Sequence, residues 1–161
     1  MLTDHLNDKN HPNQEYLSRF IELLAVCHTI IVEEKEDKII YNASSPDELA
    51  LVNAAKFFGY KFLGRDEDSN MILNINGEER KYKLLNVIEF TSARKRMTVI
   101  VKTEDGKIRV MCKGADSIII PLLRKNQTIV EKTTQYLDQY AKEGLRTLLI
   151  VEKEVDEEFY N

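Results

Sequence analysis

Cysteine is scarce in this chain: Cys27 and Cys112 are the only two, and each lies in an apolar or strand-like run. A disulfide scaffold is excluded, and the pair reads as buried free thiols of a protein suited to a reducing compartment. Histidine is nearly as scarce, with three residues, two of them in the polar opening segment. No Ser/His/Asp or Cys/His catalytic set can be assembled from so few. No apolar run approaches the ~18 to 20 residues of a membrane span, and residues 1–14 carry no apolar signal-peptide core. Positive charge is not in excess either. The formal net charge of −4 argues against nonspecific nucleic-acid binding, which needs a broad basic surface. An anionic ligand would have to be held by a local basic cluster against an unfavourable overall field.

Several motifs fail on inspection. Gly59 and Gly64 have the glycine spacing of a phosphate-binding P-loop, but Arg65-Asp66 follows in place of Lys-Ser/Thr. No G-x-G-x-x-G exists, so the dinucleotide fingerprint is missing. Asp66, Asp68 and Asn70 imitate the first calcium-loop ligands, but Met71 stands where the glycine belongs and Gly77 where the bidentate glutamate belongs, which leaves a surface turn. Cys27-His28 has no second pair at metal spacing and reads as packed or solvated side chains. The sequons at Asn42 and Asn126 read as chance.

What remains is a globular pattern. The chain's 161 residues suit one domain with a real core, and 43% hydrophobic with 31% charged residues exclude a disordered chain. Residues 1–14 read as a flexible lead-in and 15–161 as a single domain. Leu17, Phe20, Ile21, Leu24 and Ala25 have the spacing of an amphipathic helix over Gln14 to Val26. Ser45-Pro46-Asp47-Glu48 predicts a helix start, with Ser45 as N-cap and Glu48 completing a capping box, and the helix ends at Gly59. After a strand at Lys38 to Ala43, six further strands are expected: Tyr60 to Gly64, Met71 to Ile75, Arg80 to Phe90, Met97 to Thr103, Lys107 to Cys112 and Leu145 to Glu152. Asn76-Gly77 and Asp105-Gly106 supply hairpin turns. Helices at Asp116 to Arg124 and Ile129 to Lys142 precede the last strand. The segregation of helices and hairpins predicts an α+β fold, an antiparallel sheet of about six strands flanked by helices.

The most informative stretch is Glu89-Phe90-Thr91-Ser92-Ala93-Arg94-Lys95-Arg96-Met97. It sets an aromatic ring, two hydroxyls and three consecutive cations just after a strand. A ring can stack on a base, hydroxyls can bond to polar edges, and cations can meet phosphates. Lys113, at a strand end before a Gly-Ala corner, and Arg146, after Gly144 at a helix-to-strand corner, can each reach toward a ligand. Singly, each of these reads equally well as a surface side chain.

Together and in order, these blocks resemble a family. Leu24-Ala25-Val26-Cys27-His28-Thr29, Ser45-Pro46-Asp47-Glu48-Leu49-Ala50-Leu51-Val52, Phe90 to Met97, Cys112-Lys113-Gly114-Ala115-Asp116 and Glu143-Gly144-Leu145-Arg146-Thr147-Leu148 are similar to the nucleotide-binding domain of the P-type ATPases. The Phe90 block and the Cys-His-Thr segment narrow the resemblance to the type IV branch, the phospholipid flippases. The resemblance implies that Phe90 stacks on adenine and Glu48 lies near the adenine amino edge. It implies further that Ser92 and Lys95 line the base and sugar side, Lys113 reaches the pocket floor, and Arg146 approaches the phosphates. Leu49 departs from the family's usual small residue. The chain holds no Asp-Lys-Thr-Gly-Thr loop, no Asp-Gly-x-Asn-Asp element and no Thr/Ser-Gly-Glu loop. The resemblance therefore implies an excised ATP-binding domain with no catalytic or metal-binding residues of its own. It would act at the cytosolic face of a membrane with the phosphorylation and actuator domains of its parent, a phospholipid-translocating ATP hydrolase. The parent would use Mg²⁺ ligated outside this chain and an accessory membrane subunit, and the isolated domain would be a monomer that binds no nucleic acid. Three alternatives stand beside this: a cation-transporting relative, an interaction domain that kept the fold, and an independent small enzyme.

Overall fold

The computed structural model describes residues 2–36 and 38–160. Its centre is a six-stranded meander in which every neighbour is antiparallel: β3 (Tyr60–Arg65), β4 (Met71–Ile75), β5 (Glu78–Ile88), β6 (Arg96–Lys102), β7 (Ile108–Gly114) and β8 (Leu149–Val155), in that spatial order. A separate hairpin joins β1 (Ile31–Lys35) to β2 (Lys38–Asn42). The α+β fold expected from the sequence is the one observed.

Side chains alternate across a strand, so residues i and i+2 share a face. On one face the cross-strand pairs Phe62 with Leu73, Met71 with Tyr82, and Val99 with Met111 are all buried. Helix α2 (Gln14–Val26) contributes Ile21, Leu24 and Ala25 to the same core, and α3 (Pro46–Phe57) contributes Val52 and Ala55. The turn from α3 into β3 depends on Gly59. Its φ is +90°, and a Cβ there would lie 2.0 Å from Asn76 Oδ1.

Three expectations need correcting. The polar lead-in contains a helix, α1 (Leu2–Asn7), whose Leu6 packs against the core and whose carbonyl at Leu6 accepts from Gln14 Nε2 at 3.3 Å. The helix expected over Asp116 to Arg124 is only α4 (Asp116–Ile119), continued by a 3₁₀ turn at Ile120–Leu122. Pro121 lacks the N–H that another α-turn would use. The last strand begins at Leu149, not Leu145, so Leu145 to Leu148 cross the corner without regular structure after α5 (Ile129–Lys142). Among the described residues, no helix is long and apolar enough to cross a membrane.

Candidate nucleotide site

The site begins at the end of β7. Pairing sets Lys113 beside Met97 of β6 and Ile150 of β8, and Gly114 beside Arg96 and Leu149. A Cβ at Gly114 would sit 2.6 Å from both the Lys95 carbonyl and Arg96 Cβ. Only glycine allows this close approach, and the next residue uses it: Ala115 N–H donates to the Lys95 carbonyl at 3.0 Å. The Phe90–Lys95 loop is thus sewn to the Lys113–Ala115 corner.

The loop is braced from within. Lys95 N–H donates to the Thr91 carbonyl at 2.7 Å, and Lys95 adopts the left-handed φ of 51°, which costs a non-glycine residue free energy and persists only where neighbours fix it. Arg94 Nη1 donates to the carbonyls of Ile88 and Glu89 at 3.2 and 2.8 Å. Of the three consecutive cations, Arg94 is therefore committed to the loop itself. Phe90 is 60% exposed, and Ser92 and Lys95 are exposed beside it. An exposed ring on a braced loop is a platform, not a core residue.

Lys113 lies at the opposite extreme. It is 8% exposed, and its Nζ is buried without a hydrogen-bond partner among the described residues. Burial pulls its pKa below the ordinary lysine value, while the neighbouring Cys27 and Glu48 act in the other direction. Arg146 is exposed, and its Nη2 pairs with Asp47 Oδ2 at 2.6 Å. Through Asp47 it is nevertheless anchored next to Glu48.

Glu48 is buried, and its role differs from the expected capping box. Ser45 Oγ does accept from Glu48 N–H at 3.1 Å. The return bond is missing, because the Glu48 carboxylate turns to Thr29 N–H at 2.9 Å and to the Thr29 and Ser44 hydroxyls at 3.2 Å. Sequence reasoning missed Thr29 and Ser44, although two serines preceding Pro46, where one cap needs only one, were a legible signal. His28, read as packed or solvated, is fully buried. Cys27 is buried too, and burial pushes its thiol up to about 12, which leaves it inert as a nucleophile. Both cysteines are free.

Glu48 and Lys113 are thus buried, while Phe90, Ser92 and Lys95 are exposed and Arg146 is exposed and paired with Asp47. Among the described residues no group of three His, Cys, Asp or Glu side chains is placed to hold a metal ion. Asp66, the would-be calcium ligand, instead accepts from Asn70 N–H at 2.8 Å and pairs with Lys81. The Lys81 bond, then the Asn70 bonds, hold its carboxyl at about 2.

A model of the family described as P-type ATPase, cytoplasmic domain N, matches residues 16–161. A phospholipid-transporting ATPase of Schizosaccharomyces pombe is 41% identical over 98% of this chain. Probable phospholipid-transporting ATPase 7 of Arabidopsis thaliana is 46% identical over 94% of it, and Phospholipid-transporting ATPase IK of Mus musculus 43% over 89%. The chain spans only 11 to 13% of the length of these relatives. The chain belongs to the family of P-type ATPase cytoplasmic N domains.

Proposed function

We propose that this chain is the ATP-binding domain of a P-type phospholipid-translocating ATPase. The observation that carries the reading is the Lys113 Nζ, buried and without a hydrogen-bond partner among the described residues, at the foot of a loop that exposes Phe90. A buried donor left unpaired costs roughly 1 to 3 kcal/mol or more, and a ligand acceptor on the pocket floor would recover that cost. In this reading Phe90 stacks on adenine and Glu48 accepts from the base edge. Ser92 and Lys95 flank the base and sugar, and Arg146 exchanges Asp47 for a phosphate.

Bound ATP supplies the phosphoryl group that the parent transfers. The residues gathered here bind and orient it, and leave its terminal phosphate for an aspartate on a separate phosphorylation domain, with Mg²⁺ ligated there. The phosphorylation and actuator domains, an accessory membrane subunit and a place at the cytosolic face of a membrane belong to the same reading. Cation transport is the less favoured assignment, because the relatives reported above carry phospholipid-transporting names.

Calorimetric titration of the chain with ATP tests the proposal. Saturable binding, little altered by Mg²⁺ and without phosphate release in proportion to protein, is expected. Absence of binding, or sustained hydrolysis by a clean preparation, overturns it.

A further inference from the structure

Glu48 enters the site with most of its accepting capacity already used. Its Oε1 takes Thr29 N–H at 2.9 Å, and its Oε2 takes the hydroxyls of Thr29 and Ser44, each at 3.2 Å. A carboxylate offers about four acceptor positions, so three donors leave room for one more. Nothing in the start of α3 requires this arrangement, because the helix cap is supplied by Ser45 alone.

Thr29 is held in place by a ring that spans it. His28 Nε2–H donates to the Ala25 carbonyl at 2.8 Å, and Nδ1 accepts from Ile30 N–H at 3.1 Å. Since Nδ1 must be bare to accept, the ring is the neutral Nε2–H tautomer. Its edge packs on Phe62 with ring centroids 4.5 Å apart. The backbone from Ala25 to Ile30 is therefore fixed on both sides of the residue that grips Glu48.

We propose that Thr29, Ser44 and His28 are positioning residues that set the base selectivity of the site through Glu48. The inference rests on reading this corner as the ATP site. Adenine offers a carboxylate the donor of its 6-amino group. Guanine presents an acceptor at that position, and its attraction for a carboxylate lies in two parallel donors, N1–H and the 2-amino group. A Glu48 with one position left can complete the adenine bond but cannot take both guanine donors. Released from Thr29 and Ser44, the carboxylate has room for the pair. The hydroxyls thus select ATP against GTP by occupancy, without touching either base.

The test compares ATP and GTP dissociation constants for the wild-type chain, Ser44→Ala, Thr29→Val with Ser44→Ala, and Phe90→Ala, with thermal melting of each. The double variant is expected to lower the preference for ATP over GTP by roughly 10-fold, the worth of a charge-assisted hydrogen bond. Ser44→Ala alone, at an exposed position, should lower it by about 3-fold and serves if the double variant does not fold. Phe90→Ala should weaken both nucleotides equally and leave their ratio intact. A ratio unchanged in the Ser44 and Thr29 variants, or a parallel loss of both nucleotides there, overturns the selectivity inference while the site stands. If Phe90→Ala changes neither affinity, the site reading itself fails, and the inference with it.

Discussion

Two buried cations lie four residues apart on the same face of β7, and they live in opposite surroundings. Arg109 is 6% exposed and fully partnered: Nη1 meets Glu22 Oε1 at 2.5 Å and Nη2 meets Glu152 Oε2 at 2.6 Å. Tyr82 Oη adds a bond to Glu22 at 2.7 Å, and Arg19 reaches both Glu152 and Glu154. Lys113 is 8% exposed, and its Nζ has no hydrogen-bond partner among the described residues. Low dielectric makes both charges costly, and only a complete set of partners offsets the cost. Arg109 is a cation the fold has satisfied for itself. Lys113 is one whose Nζ no described residue bonds, with the charge of nearby Glu48 to offset its burial.

The largest effect should come from breaking the satisfied member. Among the described residues, Arg109→Leu takes the only cation from Glu22 and leaves Glu152 with Arg19 alone, and should cost ~3 to 5 kcal/mol of stability, read by urea unfolding, with ATP affinity unchanged in the folded fraction. Lys113→Met should do the reverse, holding or raising the melting temperature while weakening ATP by about tenfold or more. The wild type should also gain stability as pH rises from the depressed Lys113 pKa toward the ordinary lysine value of 10.5, because only the unfolded chain still binds that proton. Lys113→Met removes this gain. If the two substitutions behave alike, the contrast between them is broken.

His28 is a third buried titratable group, satisfied while neutral. Burial lowers its pKa from 6.5 to about 4. Between those values the unfolded chain binds the proton and the folded chain does not. Stability should therefore fall as pH drops from 6.5 to about 4, by about 3 kcal/mol in all. His28→Gln should flatten that part of the unfolding-versus-pH curve.

The exposed rim gives smaller effects. Phe90→Ala should weaken ATP, ADP and AMP alike, by roughly 1 to 3 kcal/mol, with melting little changed because the ring is 60% exposed. Melting that drops by a core-like margin with unaltered affinity would show that the ring packs rather than binds. Smallest is Arg146→Ala, whose pair with Asp47 is exposed on both sides and should add well under ~1 kcal/mol to stability. Its mark should be a loss for ATP and ADP that AMP does not share.

Much of this was legible in the chain. The β4–β5 and β6–β7 hairpins followed from alternating runs and from the Asn76-Gly77 and Asp105-Gly106 turns, because side-chain alternation and turn chemistry are local properties. The helix start at Ser45-Pro46 was equally local. The division of labour among the charges was not. Arg94, Lys95 and Arg96 read as three equivalent cations, yet Arg94 is tied to the Ile88 and Glu89 carbonyls. Glu48 read as half of a capping box, yet its carboxylate turns 19 residues back along the chain to Thr29. Arg109 carried no signal at all, since one arginine in an alternating strand says nothing about what lies opposite.

The sequence by itself determined most of the elements, an antiparallel sheet of about six strands and the family, all of which depend on near-neighbour periodicity and on residue types in fixed succession. The tertiary structure alone decided which charges are satisfied. Arg109 is matched by Glu22 from α2 and Glu152 from β8, and Lys113 Nζ finds no hydrogen-bond partner among the described residues, with the nearby Glu48 charge in its favour. The physical reason is that the cost of a buried charge depends on atoms within a few ångströms of it, and folding brings those atoms from places far apart in the chain.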